Sequence, residues 1–75
     1  MLNKILEYIL RTNEIVYIVT KDFFVTGKVV EISSTYIMLD ISEQYKSQVI
    51  PIPIHTIYDI CKNDNSKLSF FTLLN

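Results

Sequence analysis

The chain has 75 residues, about half of them hydrophobic, with one cysteine, one histidine, one glycine, two prolines and no tryptophan. Seven Lys/Arg against eight Asp/Glu leave a net charge of −1, a poor electrostatic footprint for a monomer on duplex DNA. A lone cysteine excludes an internal disulfide and a two-cysteine zinc site, and the apolar content excludes a disordered tail.

These totals predict one domain over residues 1–75. A domain of this size buries only roughly 60% of its unfolded surface, so self-association is expected. No apolar run approaches the ~18 residues of a membrane span. The opening "MLNKILEYILRTNE" carries Glu7 inside its apolar part and has no small-residue cleavage site. The expectation is a soluble, cytoplasmic protein with Cys61 as a small apolar filler in "YDIC".

Along the chain, Leu2, Ile5, Leu6, Ile9 and Leu10 recur at helical spacing and predict an amphipathic helix over 2–11, ended by "RTNE". Too short to stand alone, it must lie on an apolar surface. "IVYIVT" (15–20) is β-branched and apolar on both faces, a strand covered on both sides. After a tight turn at "KD", "FFVTGKVVEI" (23–32) is a long second strand with Gly27 in its interior. Glycine there weakens a strand unless the strand bends sharply or another backbone approaches closely.

"SST" (33–35) is a short polar connection, and "YIMLDI" (36–41) a third strand with Ile37, Leu39 and Ile41 on one face. "SEQYKS" (42–47) is a polar loop. "VIPIPI" (49–54) is strand four, His55 and Thr56 form a brief turn, and 57–61 is strand five. Pro51 and Pro53 remove donors on the same side of strand four, which places that strand at a sheet edge. "KNDNSK" is a polar break before the apolar segment "LSFFTLL" (68–74), which either packs back in cis or crosses a subunit boundary. One helix and five short strands predict a mainly β fold, a strongly bent five-stranded antiparallel barrel over about 14–61 with an N-terminal α-helix.

At this point the residues resemble a family. "VTGKVVEISSTYIMLDI" resembles the first half of the Sm/LSm fold, an SH3-like small barrel that includes bacterial Hfq. Val25, Gly27, Val29 and Ile32 fall on its strand-two pattern, followed by Ile37 and Leu39. "IPIHTIYDI" resembles the second half, with Ile52, Ile57 and Ile60 on its apolar positions. The resemblance implies a homo-oligomeric ring in which strand four of one copy pairs with strand five of the next, and single-stranded RNA held by pore-side loops. On it, Ser33, Ser34, Thr35, Tyr36 and His55 become RNA-binding candidates, and Ile50, Pro51, Ile52, Pro53, Tyr58 and Ile60 subunit-interface candidates.

The chain departs from the family's binding motifs. The acidic residue and asparagine that flank the aromatic after strand two are absent, and the Arg-Gly pair is replaced by Pro53-Ile54. In Hfq's Lys-His pair only the histidine has a counterpart, His55. A ring used for protein assembly is therefore the alternative function.

The residues themselves leave each candidate two roles. Tyr36 stacks on a base or packs, as do Tyr45 and Tyr58. His55 hydrogen-bonds a nucleotide or caps a turn, and it alone suggests a small nucleotide as ligand. Ser33 to Thr35 touch phosphate or only build the turn. Asp40 and Asp59 make no catalytic pair, and the sequence predicts no enzyme, metal or cofactor. Convergence of Lys4, Arg11, Lys28 and Lys46 on one face would favour RNA.

Overall fold

The computed structural model describes residues 2–42 and 48–73. Tyr45 and Lys46, most of the polar loop, and Leu74 of the apolar segment lie outside the described residues.

Helix α1 (Leu2–Thr12) buries Ile5, Leu6 and Ile9. It ends where Asn13 turns left-handed, at φ 59°, and donates its N–H to the Ile9 carbonyl at 3.0 Å. Asparagine tolerates that conformation better than most residues, which is why "TNE" stops the helix. Five strands follow: β1 (Ile15–Thr20), β2 (Phe24–Ile32), β3 (Tyr36–Asp40), β4 (Val49–Pro53) and β5 (Ile57–Lys62). A short 3-10 turn over Ile54–Thr56 joins β4 to β5, and α2 (Phe70–Leu73) ends the described chain.

All five strands form one antiparallel sheet in the order β4-β3-β2-β1-β5. The expected closure into a barrel is not seen: β4 and β5 stand at opposite ends of the strand order. The chemistry of the two edges explains this. Pro51 and Pro53 remove two of the N–H groups that a fifth pairing, β4 with β5, could use, and the chain beyond Lys62 returns along β5. Lys62 N–H donates to the Leu68 carbonyl at 2.8 Å, and Cys61 bridges antiparallel to Ser69.

Side chains alternate as a half-buried sheet requires. Val16, Ile18, Val25, Val29, Ile37, Leu39 and Ile52 point into one core, which α1 covers and Phe70, 1% exposed, helps fill. The opposite face is less covered than the sequence of β1 suggests. Ile15, Tyr17 and Val19 are only half-buried there, with the Phe24 ring 5.5 Å from that of Tyr17.

Gly27 lies on the core side of β2 against β3. A Cβ built there would stand 2.5 Å from the Asp40 carbonyl oxygen and 2.9 Å from Leu39 Cγ. Close backbone approach is thus the reason for the only glycine. The β2–β3 register shifts between Val29 and Glu31, leaving Val30 as the extra, exposed residue of a bulge. A second shift in the β1–β5 pairing skips Tyr58, which is 66% exposed. Each bulge bends its strand and adds twist.

Candidate functional site

The β2–β3 turn and the 3-10 turn meet at one end of the sheet. Ile54 N–H donates to the Thr35 carbonyl at 3.0 Å, and Tyr36 pairs with Pro53 in the β3–β4 register. Thr35, Tyr36 and His55 therefore share one neighbourhood, and all three are exposed. Ser33 sits beside them with its hydroxyl engaged. Its Oγ donates to the Tyr36 carbonyl at 3.1 Å and accepts the Tyr36 N–H at 3.2 Å. This is turn chemistry in which the serine side chain mimics a backbone group. Ser34 is exposed at the tip and lines an open groove of about 560 Å³ with Ser33, Ile32 and, from α1, Asn3, Glu7 and Leu10. The groove carries a carboxylate and no basic side chain.

Among the described residues, Lys28 and Arg11 do not share a face. Lys28 lies on the sheet face opposite α1, paired across strands with Asp40, whereas Arg11 is on α1 with its guanidinium 5.9 Å from the Tyr8 ring. The hydroxyl and amide of Ser42, helped by Lys28, hold the Asp40 carboxyl below its ordinary range. Lys62 Nζ reaches Glu14 Oε1 at 3.9 Å, and Lys67 Nζ sits 4.5 Å over the Tyr17 ring.

The interface candidates separate by direction. The residues that flank β4 set its alternation: Ile54 N–H reaches the Thr35 carbonyl just before β3, and the Gln48 carbonyl accepts from Ile41 N–H just after it, at 2.9 Å. Antiparallel alternation then aims Ile50 and Ile52 at β3, and Val49, Pro51 and Pro53 outward. The outward edge of β4 has a single donor, the N–H of Val49, beside the carbonyls of Val49 and Pro51. The Pro53 carbonyl accepts from Thr56 Oγ1 at 2.7 Å. Ile52 and Ile60 are fully buried, so their side chains belong to the core. Val49, Pro51 and Tyr58 are exposed at the edges.

On β5 the same alternation turns Cys61 and Asp59 toward β1, and Ile60 and Lys62 outward. Both outward donors are occupied. Ile60 N–H goes to Asp59 Oδ1 at 2.9 Å and Lys62 N–H to Leu68, and Ser69 Oγ donates to Asp59 Oδ1 at 2.6 Å. Asp59 thus organises this edge, a role its sequence position did not reveal. The available signal was the turn chemistry of "DNSK", which returns the chain to β5: Asp64 Oδ1 accepts the Ser66 N–H at 2.9 Å and the Lys67 N–H at 3.3 Å. These bonds, with the Ser66 hydroxyl first among them, lower the Asp64 pKa. Cys61 is buried with Sγ 3.5 Å from Asp59 Oδ2. Burial first, then the Asp59 charge, push its thiol pKa up, so it stays protonated and unreactive at neutral pH.

Among the described residues no three His, Cys, Asp or Glu side chains are placed to hold a metal ion, and no helix is long and apolar enough to cross a membrane. No protein-family model, curated protein or solved structure gives a match to the chain.

Proposed function

We propose that the chain is a non-catalytic, Sm-like assembly module whose copies join through their two sheet edges, β4 of one to β5 of the next, into a homo-oligomeric ring. The observation that carries this reading is the complementarity of those edges. The outward side of β4 is rich in acceptors and nearly without donors, while the outward side of β5 holds the N–H groups of Ile60 and Lys62. An antiparallel pairing would join Lys62 N–H to the Val49 carbonyl, Val49 N–H to the Lys62 carbonyl, and Ile60 N–H to the Pro51 carbonyl. Only the bond that Pro51 cannot donate is lost. A head-to-tail contact of this kind closes into a ring when its rotation permits and hides both sheet edges.

Sedimentation from micromolar to millimolar concentration tests the reading. The expected result is a mass that rises with concentration toward one fixed multiple of the monomer. Val49→Pro, which removes the last outward donor of β4, should abolish the rise. A mass that rises equally in the variant contradicts edge pairing.

RNA binding is the second reading, favoured by the meeting of Thr35, Tyr36 and His55 at one end of the sheet. There Tyr36 would stack on a base, His55 would hydrogen-bond its edge, and Thr35 would touch the backbone. Fluorescence anisotropy with short single-stranded RNA at two salt concentrations tests it. Binding that weakens with salt and falls several-fold in Tyr36→Ala and His55→Ala supports this reading, and absence of binding at low salt removes it.

A further inference from the structure

Edge pairing asks β5 to donate the N–H groups of Ile60 and Lys62 to a neighbour, and in the structure the chain's own next segment stands in that place. The Leu68 carbonyl takes the Lys62 N–H at 2.8 Å, and Ser69 bridges to Cys61. The Ser69 hydroxyl holds the Asp59 carboxylate that accepts the Ile60 N–H, and it also accepts the Phe71 N–H at 3.1 Å, starting α2. Two anchors fix the segment on either side of the sheet. Phe70 is buried in the core with its ring 6.1 Å from Tyr8, and Lys67, left-handed at φ 52°, lies over Tyr17 on the opposite face.

We infer that residues 67–70 form an autoinhibitory strap: it takes the Lys62 N–H directly and, through Ser69, holds the Asp59 carboxylate on the Ile60 N–H, in competition with β4 of a second copy. The inference rests on the edge-pairing reading and adds a control to it. An intramolecular partner has an effective concentration in the millimolar range, so it holds the edge until copies are concentrated or the strap is loosened. Apart from the buried Phe70, its hold is polar and local, through the Leu68 carbonyl on Lys62 N–H and the Ser69 hydroxyl on Asp59. The strap can therefore lift as a small unit without unzipping β1 from β2.

Ser69→Ala tests the strap, because it removes the bond to Asp59 while leaving the core side chains in place. Two quantities are read on the full chain: amide exchange at Ile60 and Lys62, and the concentration of half-association in sedimentation. The expected result is roughly tenfold faster exchange at both amides and roughly tenfold lower half-association concentration, the scale of one charge-assisted hydrogen bond. Adding Val49→Pro should return the loosened chain to monomer. Phe70→Ala, which removes the buried anchor, should move both readouts further; if it unfolds the chain, Ser69→Ala alone decides. Unchanged association in Ser69→Ala overturns the strap, whatever exchange does. If wild-type association is then still abolished by Val49→Pro, edge pairing survives that loss. A chain monomeric in every variant overturns both.

Discussion

Gly27 lies against the backbone of β3, and the geometry there leaves no room for a side chain. A methyl group would face the Asp40 carbonyl oxygen at 2.5 Å, a fixed backbone atom that no rotamer change can move. Gly27→Ala is therefore predicted to destabilise the fold by about 1–3 kcal/mol, the usual cost of overpacking a well-filled core. Thermal or urea unfolding of the variant checks this, and unchanged stability would contradict the close approach. At this scale the sequence was readable in part. A lone glycine inside an apolar strand already demanded a bend or a close neighbour, but which backbone approaches depends on a register that no single residue encodes. Ser33 was less readable. Its two roles, ligand contact and turn, use the same hydroxyl, and only the 3.1 and 3.2 Å bonds within the turn show how it is used.

At the scale of elements, the prolines of β4 explain why this strand ends the sheet, and the period of two makes their effect predictable. Pro51 and Pro53 lie on the outward side, so neither interrupts the ladder to β3. The same reasoning predicts opposite outcomes at neighbouring positions. Val49→Pro extends the outward series and should keep the fold, with far-ultraviolet circular dichroism and unfolding midpoint close to wild type. Ile52→Pro removes an N–H aimed at β3 and a fully buried side chain, and should lower stability by about 3 kcal/mol or more. Equal effects at the two sites would contradict the alternation. Strand positions were legible because β-branched alternation between polar breaks is a local signal. The fate of 68–73, the described part of "LSFFTLL", was not, since that segment has no alternation that decides between strand and helix. Its return to β5 is set by the Asp64 turn and by Phe70 finding space in the core. The same return removes the reason for a closed barrel: the apolar face that closure would have hidden is covered instead by α1 and Phe70.

At the scale of the whole molecule, a chain this short fills one core with two helices on one face of the sheet and leaves two unlike edges. One edge keeps only the Val49 N–H as an outward donor because of its prolines, and the other has its donors occupied by Asp59 and by the segment that follows. Among the described residues, the charged groups add no comparable organisation, with Lys28 and Arg11 on opposite sides of the sheet. These surfaces are the ground on which we propose assembly rather than binding of a polyanion. The most direct test of edge pairing is to mix two single-thiol proteins, one carrying Val49→Cys and the other Lys62→Cys, both with Cys61→Ala. A hydrogen-bonded antiparallel pair sets the two Cα atoms about 5.5 Å apart, within disulfide reach, so oxidation traps the contact each time the strap opens. The predicted result is a covalent heterodimer from the mixture and none of comparable yield from either protein alone. Equal cross-linking in all three samples, or none in the mixture, would contradict the pairing of β4 with β5.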